Sequence, residues 1–264
     1  MMSYFIIPVH NKEDLIVQVI DGILKSVSDD YKIIFVIDGC TDKSEDIIKS
    51  YDNKNFVILY ANDVHEIACL NIALEHLESA YNPSPDDLIF TVQDDVVIDE
   101  ENIDVIFKNL FNEYPYLGYV SMRIGVDIIK SGDTLSEYNL IESEFGHWKE
   151  IPGFNYTPVL YNELIIKEIA VRSPTCMLWK RYEEAGFYDI DLAPCGYDCH
   201  DMSIRMNKLG YKNAVYALKY KSDLDWGTMR TNPESELNSK HGHIYERNRK
   251  YLVKKHEQYF EEKQ

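Results

Sequence analysis

Within the first 120 residues, the runs "YFIIPV", "YKIIFVID", "FVILYA" and "DLIFTV" are apolar almost throughout, with no polar face. Between them lie segments of helical period. "KEDLIVQVIDGILKSV" sets Leu15, Val19, Ile20, Ile23 and Leu24 at helical spacing, "KSEDIIKSY" reads as a short helix, and "EIACLNIALEHLESA" places Ile67, Leu70, Leu74 and Leu77 on one stripe. A strand without a polar face needs cover on both sides, and the intervening helices supply it. The order therefore predicts an α/β fold with a mostly parallel central sheet flanked by helices. In such sheets ligands bind beyond the carboxyl ends of the strands. Three ends carry informative residues: Pro8 to Asn11, Asp38 to Asp42, and Asp94 with Asp95.

After Tyr119 the pattern loosens. Residues 125 to 163, with "EFGHWKEIPGFNYTP", read as irregular loops and short strands over one mouth of the cleft. "ELIIKEIAV" resumes strand character. "YDCHDMSIRMNKLGY" turns helical from about Asp201, with Gly210 after Leu209 as its stop. "KNAVYALKY" is another strand, "WGTMRTNPESELNSKHGH" a polar loop, and "IYERNRKYLVKKHEQYF" a closing amphipathic helix. Without a repeat or a clean linker, residues 1–264 form one domain, in parts spanning 1–120, 121–220 and 221–264.

The formal charge is −18, from 45 acidic and 27 basic residues. Such a surface repels a phosphate backbone, which excludes general nucleic-acid binding, and resists unaided adsorption to an anionic membrane. The local exception is "RNRKYLVKKH", Arg247 to His256, which is either the solvated face of a terminal helix or a point of peripheral membrane contact. No apolar run approaches the 18 residues of a transmembrane helix. Five cysteines, an odd count, and no signal segment point to reduced thiols in a cytoplasmic setting. Cys195, Cys199 and His200 are close in sequence but lack the second ligand pair of a zinc site. Twenty tyrosines point to wet clefts or partner surfaces.

Two acidic positions carry the chemistry. In "VIDGCTDKS" a strand ends at Asp38, and Gly39 permits a tight turn. Asp38 either accepts hydrogen bonds from a ligand's N–H groups or caps the following helix through an Asx turn. In "FTVQDDVVI" Asp94 and Asp95 are either a solvated acidic turn or hard oxygen ligands for magnesium or manganese. Neither G-x-x-x-x-G-K-[ST] nor G-x-G-x-x-G is present near these strands, which weighs against a kinase, an ATPase or a nicotinamide enzyme.

Together these pieces resemble the inverting family 2 glycosyltransferases of the GT-A fold. "FIIPVHNKED" is similar to the family's first strand and "IPVYNEE" turn, with His10 where Tyr is usual. "VIDGCTDKS" resembles "VDDGSTDGS", which places Asp38 where the family reads the nucleotide base. "ANDVHEIACLNIAL" resembles "ENGGLSAARNKGL", with Asn71 matched and Leu70 in place of the usual Arg. "FTVQDDVVI" is similar to the D-x-D region, with Asp95 at the metal position, Asp94 at the ribose contact and Val92 in place of the first Asp. "YDCHDMSIRMNKLGYK" resembles "E-D-x-D-L-x-x-R-x-x-x-x-G-Y-K". Aligned on Arg205 and Gly210, Asp198 falls on the Glu, Cys199 on the Asp that acts as base, and Asp201 on the last Asp. Either Asp198 takes the base's role or the loop shifts by a residue, while Asp201 also fits a helix cap.

The resemblance implies a GT-A domain: a nucleotide-sugar-binding half over 1–120, an irregular acceptor and catalytic half over 121–220, and a C-terminal loop and helix. It implies transfer of a sugar from a nucleotide-sugar donor, UDP- or dTDP-linked, to a hydroxyl of a glycan or lipid-linked acceptor, with inversion, in glycan or glycoconjugate synthesis. It implies Mn2+ or Mg2+ on Asp95, with His241 and His243 as late ligands unless they are ordinary surface residues. Nucleotide-sugar contacts fall to Pro8, Val9, Asp38, Asn71 and Asp94, and catalysis to Asp198 or Asp201. Two other readings stay open. One is a catalytically inactive GT-A-like binding protein, for which Cys199 and Leu70 speak. The other is a sugar-1-phosphate nucleotidyltransferase, against which the Gly-free "PVHNKED" speaks.

Overall fold

A computed structural model of the chain describes residues 1–28, 30–130, 138–141, 148–151, 154–158, 162–171, 173–222, 226 and 236–262. The four apolar runs are strands β1 (Ser3–Val9), β2 (Tyr31–Asp38), β3 (Phe56–Ala61) and β4 (Leu88–Thr91). Helices α1 (Ile16–Ser26), α2 (Ser44–Ser50) and α3 (His65–His76) connect them, the last prolonged by a π-helical turn over Leu77–Tyr81. Then come β5 (Val97–Ile98), α4 (Ile103–Glu113) and β6 (Leu117–Ser121). Short strands β7 (Ile124–Lys130), β8 (Tyr138–Ile141), β9 (Trp148–Ile151) and β10 (Phe154–Pro158) occupy the stretch expected to be irregular. The chain continues through β11 (Leu164–Lys167), β12 (Ile169–Val171), β13 (Thr175–Leu178), α5 (Trp179–Ala185) and α6 (Asp198–Lys208). It closes with β14 (Lys212–Tyr216), β15 (Tyr220–Lys221), α7 (Glu236–Lys255) and α8 (Glu257–Glu261).

Eight strands form the central sheet in the order β11-β14-β6-β13-β4-β1-β2-β3. Strands β11 and β13 run against their neighbours, and the remaining pairings are parallel. From β1 the chain steps outward through β2 and β3, then returns to the other side of β1 as β4. That reversal opens a crevice at the carboxyl ends of β1 and β4, the place where open α/β sheets bind ligands.

The alternation of side chains across the pleat explains the unbroken apolar runs. Phe5, Ile7, Val9 and Phe35 face α1 and α4, packing on Ile16, Val19, Ile20, Ile23 and Phe107. Tyr4, Ile6, Ile34 and Val36 face the other way, onto Ile67, Leu70 and Leu74 of α3 and Met202 and Met206 of α6. Each fully buried side chain of this kind contributes roughly 1.5–3 kcal/mol. Leu70, at the position of the family's Arg, is part of this core. Gly22 lets α1 lie directly on β5: a Cβ there would sit 2.7 Å from the Ile98 carbonyl oxygen. That contact fixes the chain just beyond Asp94 and Asp95.

Several local expectations are corrected. Helix α6 begins at Asp198 rather than Asp201. "ELIIKEIAV" is two strands, because the chain changes sheets at Glu168: β11 pairs with β14 and β12 with β7. The polar segment before Ile244 is helical from Glu236 onward. Tyr119, Tyr182 and Tyr188 are buried rather than set in wet clefts, since each hydroxyl has a partner: Tyr188 Oη lies 3.4 Å from that of Tyr119 and 3.3 Å from that of Tyr182. The basic tail is partly turned inward. Lys255 pairs with Asp189 and Asp201, and His256 is buried against Asp201. Trp179 is part of the core. Among the described residues no helix is long and apolar enough to cross a membrane.

Candidate active site

Four sequence segments meet at the β1/β4 crevice. His10, the first residue after β1, ties three of the strand ends together. Its amide donates to Asp94 Oδ2 at 3.0 Å, and its Nδ1 lies 2.6 Å from the Asp38 carbonyl oxygen. A carbonyl can only accept, so Nδ1 carries the proton. Lys12, buried, donates to the Trp226 carbonyl and holds its Nζ 3.9 Å from Asp94 Oδ1. Pro8 is half-buried and Val9 fully buried, so Val9 meets the crevice through its backbone, where its carbonyl accepts from Cys40 Sγ at 3.2 Å.

At the β2 end Asp38 takes up a capping role, for α3 rather than for the next helix α2. Asp38 is 3% exposed, and its two carboxylate oxygens accept the amides of Val64 and His65 at 2.7 and 2.8 Å. It thus caps the start of α3, while Asp42 takes the Ser44 amide at the start of α2. Both oxygens are committed to the backbone, and so Asp38 shapes the turn rather than presenting a free carboxylate. Asp63, in that turn, is the exposed acid, at 62%. His10, Asp38 and Asp63 hold ligand atoms within 4.8 Å of one another. Asn71 is likewise occupied: its Nδ2 donates to the Tyr188 carbonyl at 2.8 Å and its Oδ1 accepts the Tyr188 amide at 2.9 Å. It pins α3 to the segment before α6.

Asp94 and Asp95 lie at the mouth of β4. Burial pushes Asp94 up to about 7, with Asp95 adding to the rise and Lys12 and His10 opposing it. Asp95 Oδ1 is buried and has no hydrogen-bond partner. A buried carboxylate oxygen without a donor is costly unless a cation meets it. The donor set at this point, hard oxygens in an acidic pocket, suits magnesium or manganese. The residues present therefore fit a divalent metal.

Glu66, in the first turn of α3, adds a further carboxyl. Burial raises it to about 8, followed by the charges of Asp198, Asp95 and Asp94, while Gln93 Nε2 donates to Oε1 at 3.1 Å and opposes the rise. Its ordinary value is near 4.5. Between those values the folded protein keeps a proton that the unfolded chain has lost, so stability of the metal-free protein falls as pH rises from about 4.5 to about 8. Glu66→Gln is expected to stabilise the metal-free protein by about 2 kcal/mol at pH 8 and negligibly at pH 4.5. Thermal melts at the two pH values check this, and equal effects at both would contradict the placement.

Asp198 is the first residue of α6, half-buried, with its carboxyl raised by burial despite hydrogen bonds from its own amide and from Cys199. The Cys199 thiol lies 3.5 Å from Asp198 Oδ2 and an equal distance from Tyr119 Oη. Asp201, 0% exposed, is saturated: Arg205 Nε at 2.8 Å, Lys255 Nζ at 2.6 Å and His256 Nε2 at 2.8 Å. Neither a capping role nor contact with a substrate suits it, and these partners hold it well below the ordinary carboxylate range, at about 2, against the effect of burial. His200 is pushed down to about 4 by burial and is neutral near pH 7. His243 is exposed on α7, and the His241 side chain lies outside the described residues.

The structure thus brings Asp94, Asp95 and Asp198 within electrostatic reach of Glu66, while Asp38, Asn71 and Asp201 each bond to the framework. Sequence reasoning passed over His10 as a working residue, and also Lys12 and Glu66. The signal was present for the first two, as polar residues directly after an apolar strand. Glu66 had none, because it looks like any acid in a first helical turn.

The model of glycosyl transferase family 2 matches residues 4–165. No curated protein sequence matches the chain. Among solved structures, S. aureus TarS aligns at 14% identity and a TM-score of 0.55, over 85% of this chain and 37% of its own. GalNAc-T7 with UDP, GalNAc and Mn2+ aligns at 10% identity and 0.59, over 82% and 42%. TarS 1–349 in complex with UDP aligns at 14% and 0.56, over 85% and 61%. This chain thus spans less than two thirds of each of those chains, and at such identities the likeness speaks for the fold. With the family model lying over more than half of its length and the GT-A sheet beneath it, the chain belongs to glycosyl transferase family 2.

Proposed function

We propose that this protein is a divalent-metal-dependent inverting transferase that moves a hexosyl group from a UDP- or dTDP-linked donor to an acceptor hydroxyl in glycan synthesis. The observation that carries this reading is a buried, unpartnered Asp95 oxygen at the strand-order reversal, with Asp95 and Asp198 both within electrostatic reach of Glu66. UDP in one neighbour and UDP with Mn2+ in another support the donor class and the metal.

In this reading Asp94 and Lys12 line the donor side, with Asp63 next to the β2–β3 edge where the base lies. Asp95 is the anchor of the metal, with Asp94 beside it; His243 is exposed on α7. The bound cation supplies Lewis-acid neutralisation of the departing diphosphate. An acceptor hydroxyl, with a pKa far above 7, needs a base as it attacks. Asp198 takes that proton, and its raised pKa brings it nearer to the working pH. The new bond forms at the anomeric carbon as the bond to the phosphate oxygen breaks, and the nucleoside diphosphate leaves with the electron pair. A single displacement inverts the centre. Asp201 and Arg205 keep α6 in place but touch no reactant.

Calorimetry with UDP, dTDP and GDP, each with and without manganese, tests this. UDP or dTDP is expected to bind at least about tenfold more tightly with the metal present, a difference of roughly 1.4 kcal/mol. Tightest binding of GDP, or indifference to manganese, would sink the assignment.

A further inference from the structure

We infer that Asn248, on helix α7, is a positioning residue for transfer: its side-chain amide sets the path of the turn that delivers Asp198 to the crevice. This rests on the reading of Asp198 as the base. Asn248 is 0% exposed. Its Nδ2 lies 2.7 Å from the Leu192 carbonyl oxygen, 2.9 Å from that of Cys195 and 3.1 Å from that of Gly196. Two N–H groups thus serve three carbonyls, all within the turn before Asp198. The amide's orientation is set from the other end, where Oδ1 accepts from Arg247 Nε at 2.9 Å. Arg247 also reaches the Ala193 carbonyl through Nη2.

The turn needs such a hold. Gly196 and Tyr197 both have left-handed backbone, with φ of 89° and 66°, and a non-glycine residue stays there only when its surroundings require it. A Cβ at Gly196 would meet the Tyr245 ring at 3.0 Å, so α7 also sets how closely the turn can lie. Further along the same face of α7, Tyr251 donates to Asp189 at 2.9 Å and Lys255 reaches Asp189 and, one turn into α6, Asp201. The C-terminal helix thus grips both sides of Asp198. Among these hydrogen bonds and ion pairs Asn248 makes the one nearest to it in sequence, at Gly196, and it stands outside the crevice itself.

The test compares the wild type with Asn248→Ala, Asn248→Ser, Asn248→Asp and Asp198→Asn. Hydrolysis of UDP-glucose, UDP-galactose and UDP-N-acetylglucosamine with manganese is followed across pH, beside UDP affinity and melting. Asn248→Ala is expected to lower kcat about 10- to 100-fold while KM and UDP affinity stay within about twofold. Its rising pH–rate limb should move to higher pH, because a displaced turn loses amide hydrogen bonds to the Asp198 carboxylate. Asn248→Ser keeps one donor and should recover part of the rate. Asn248→Asp, equal in size but with acceptors facing three carbonyls, should be at least as slow as Ala. A folded Asn248→Ala at wild-type kcat overturns the inference, as does a kcat loss matched by lost UDP affinity. Should the Ala variant not fold, a folded Ser variant at full rate overturns it equally. An inactive Asp198→Asn beside a fully active Asn248→Ala sinks this inference alone. An active Asp198→Asn sinks the reading of Asp198 as the base and this inference with it, and a wild type inert on all three donors sinks the UDP-donor reading and this inference with it.

Discussion

Asp95→Ala is expected to abolish the manganese-dependent part of UDP binding and to lower turnover by about 10³-fold, several kcal/mol of transition-state stabilisation. The metal-free protein should melt no lower than the wild type, and slightly higher at pH 8. The reason lies in the desolvation of the site. Asp95 Oδ1 is buried without a donor, and its charge helps push up both Asp94 and Glu66. Removing such a charge relieves its neighbours in the empty pocket, whereas with a divalent cation present the same charge is what holds the ion. The sign of the stability change thus reverses with metal: the variant gains relative to wild type without manganese and loses relative to it with manganese. Melting curves with and without the ion, beside titration with UDP, measure both halves. Undiminished manganese dependence in Asp95→Ala would remove Asp95 from the metal site.

Asp198→Asn is expected to lower kcat by about 10² to 10⁴-fold while UDP affinity stays within about twofold. Asn keeps the shape of the side chain and can still accept from the Cys199 thiol, so the turn and α6 are retained. What it cannot do is take a proton. The active form of Asp198 is the ionised one and its carboxyl is raised, so the wild-type rate should climb as pH rises through that value. The Asn variant should lack this limb. Cys199 stands where the family's base usually stands, and its thiol is a donor to Asp198 rather than a competing base. A pH–rate limb that survives Asp198→Asn would move the base elsewhere in the acidic cluster.

The fold was legible because burial on two faces leaves a direct mark on composition. The unbroken runs from Phe5 to Val9 and from Ile33 to Ile37 make sense only between two layers of helix, and both layers are present. The crevice was legible for a related reason: charged and polar residues ending an apolar strand have to face solvent or a ligand, which singled out Pro8 to Asn11, Asp38 to Asp42 and Asp94 with Asp95. Helix α6 was placed three residues late because its start depends on the left-handed Tyr197, and tyrosine, unlike glycine or asparagine, does not announce that backbone state.

The roles of individual polar side chains were a different matter. Asp38, Asn71 and Asp201 matched family positions, yet each is filled by partners far along the chain: Asp38 by amides of the β3–α3 turn, Asn71 by Tyr188, Asp201 by Lys255 and His256. The periodicity and residue types of the sequence by themselves determined the α/β sheet and the strand ends that form the crevice, since apolar burial is additive and local, and the motifs at those ends carried the family resemblance. Only the tertiary structure decided which acids are spent on the framework and which stay open to a metal or a proton, and that Asn248 holds the turn before Asp198. Hydrogen-bond capacity is short-ranged, and what consumes it depends on which distant segments fold against it.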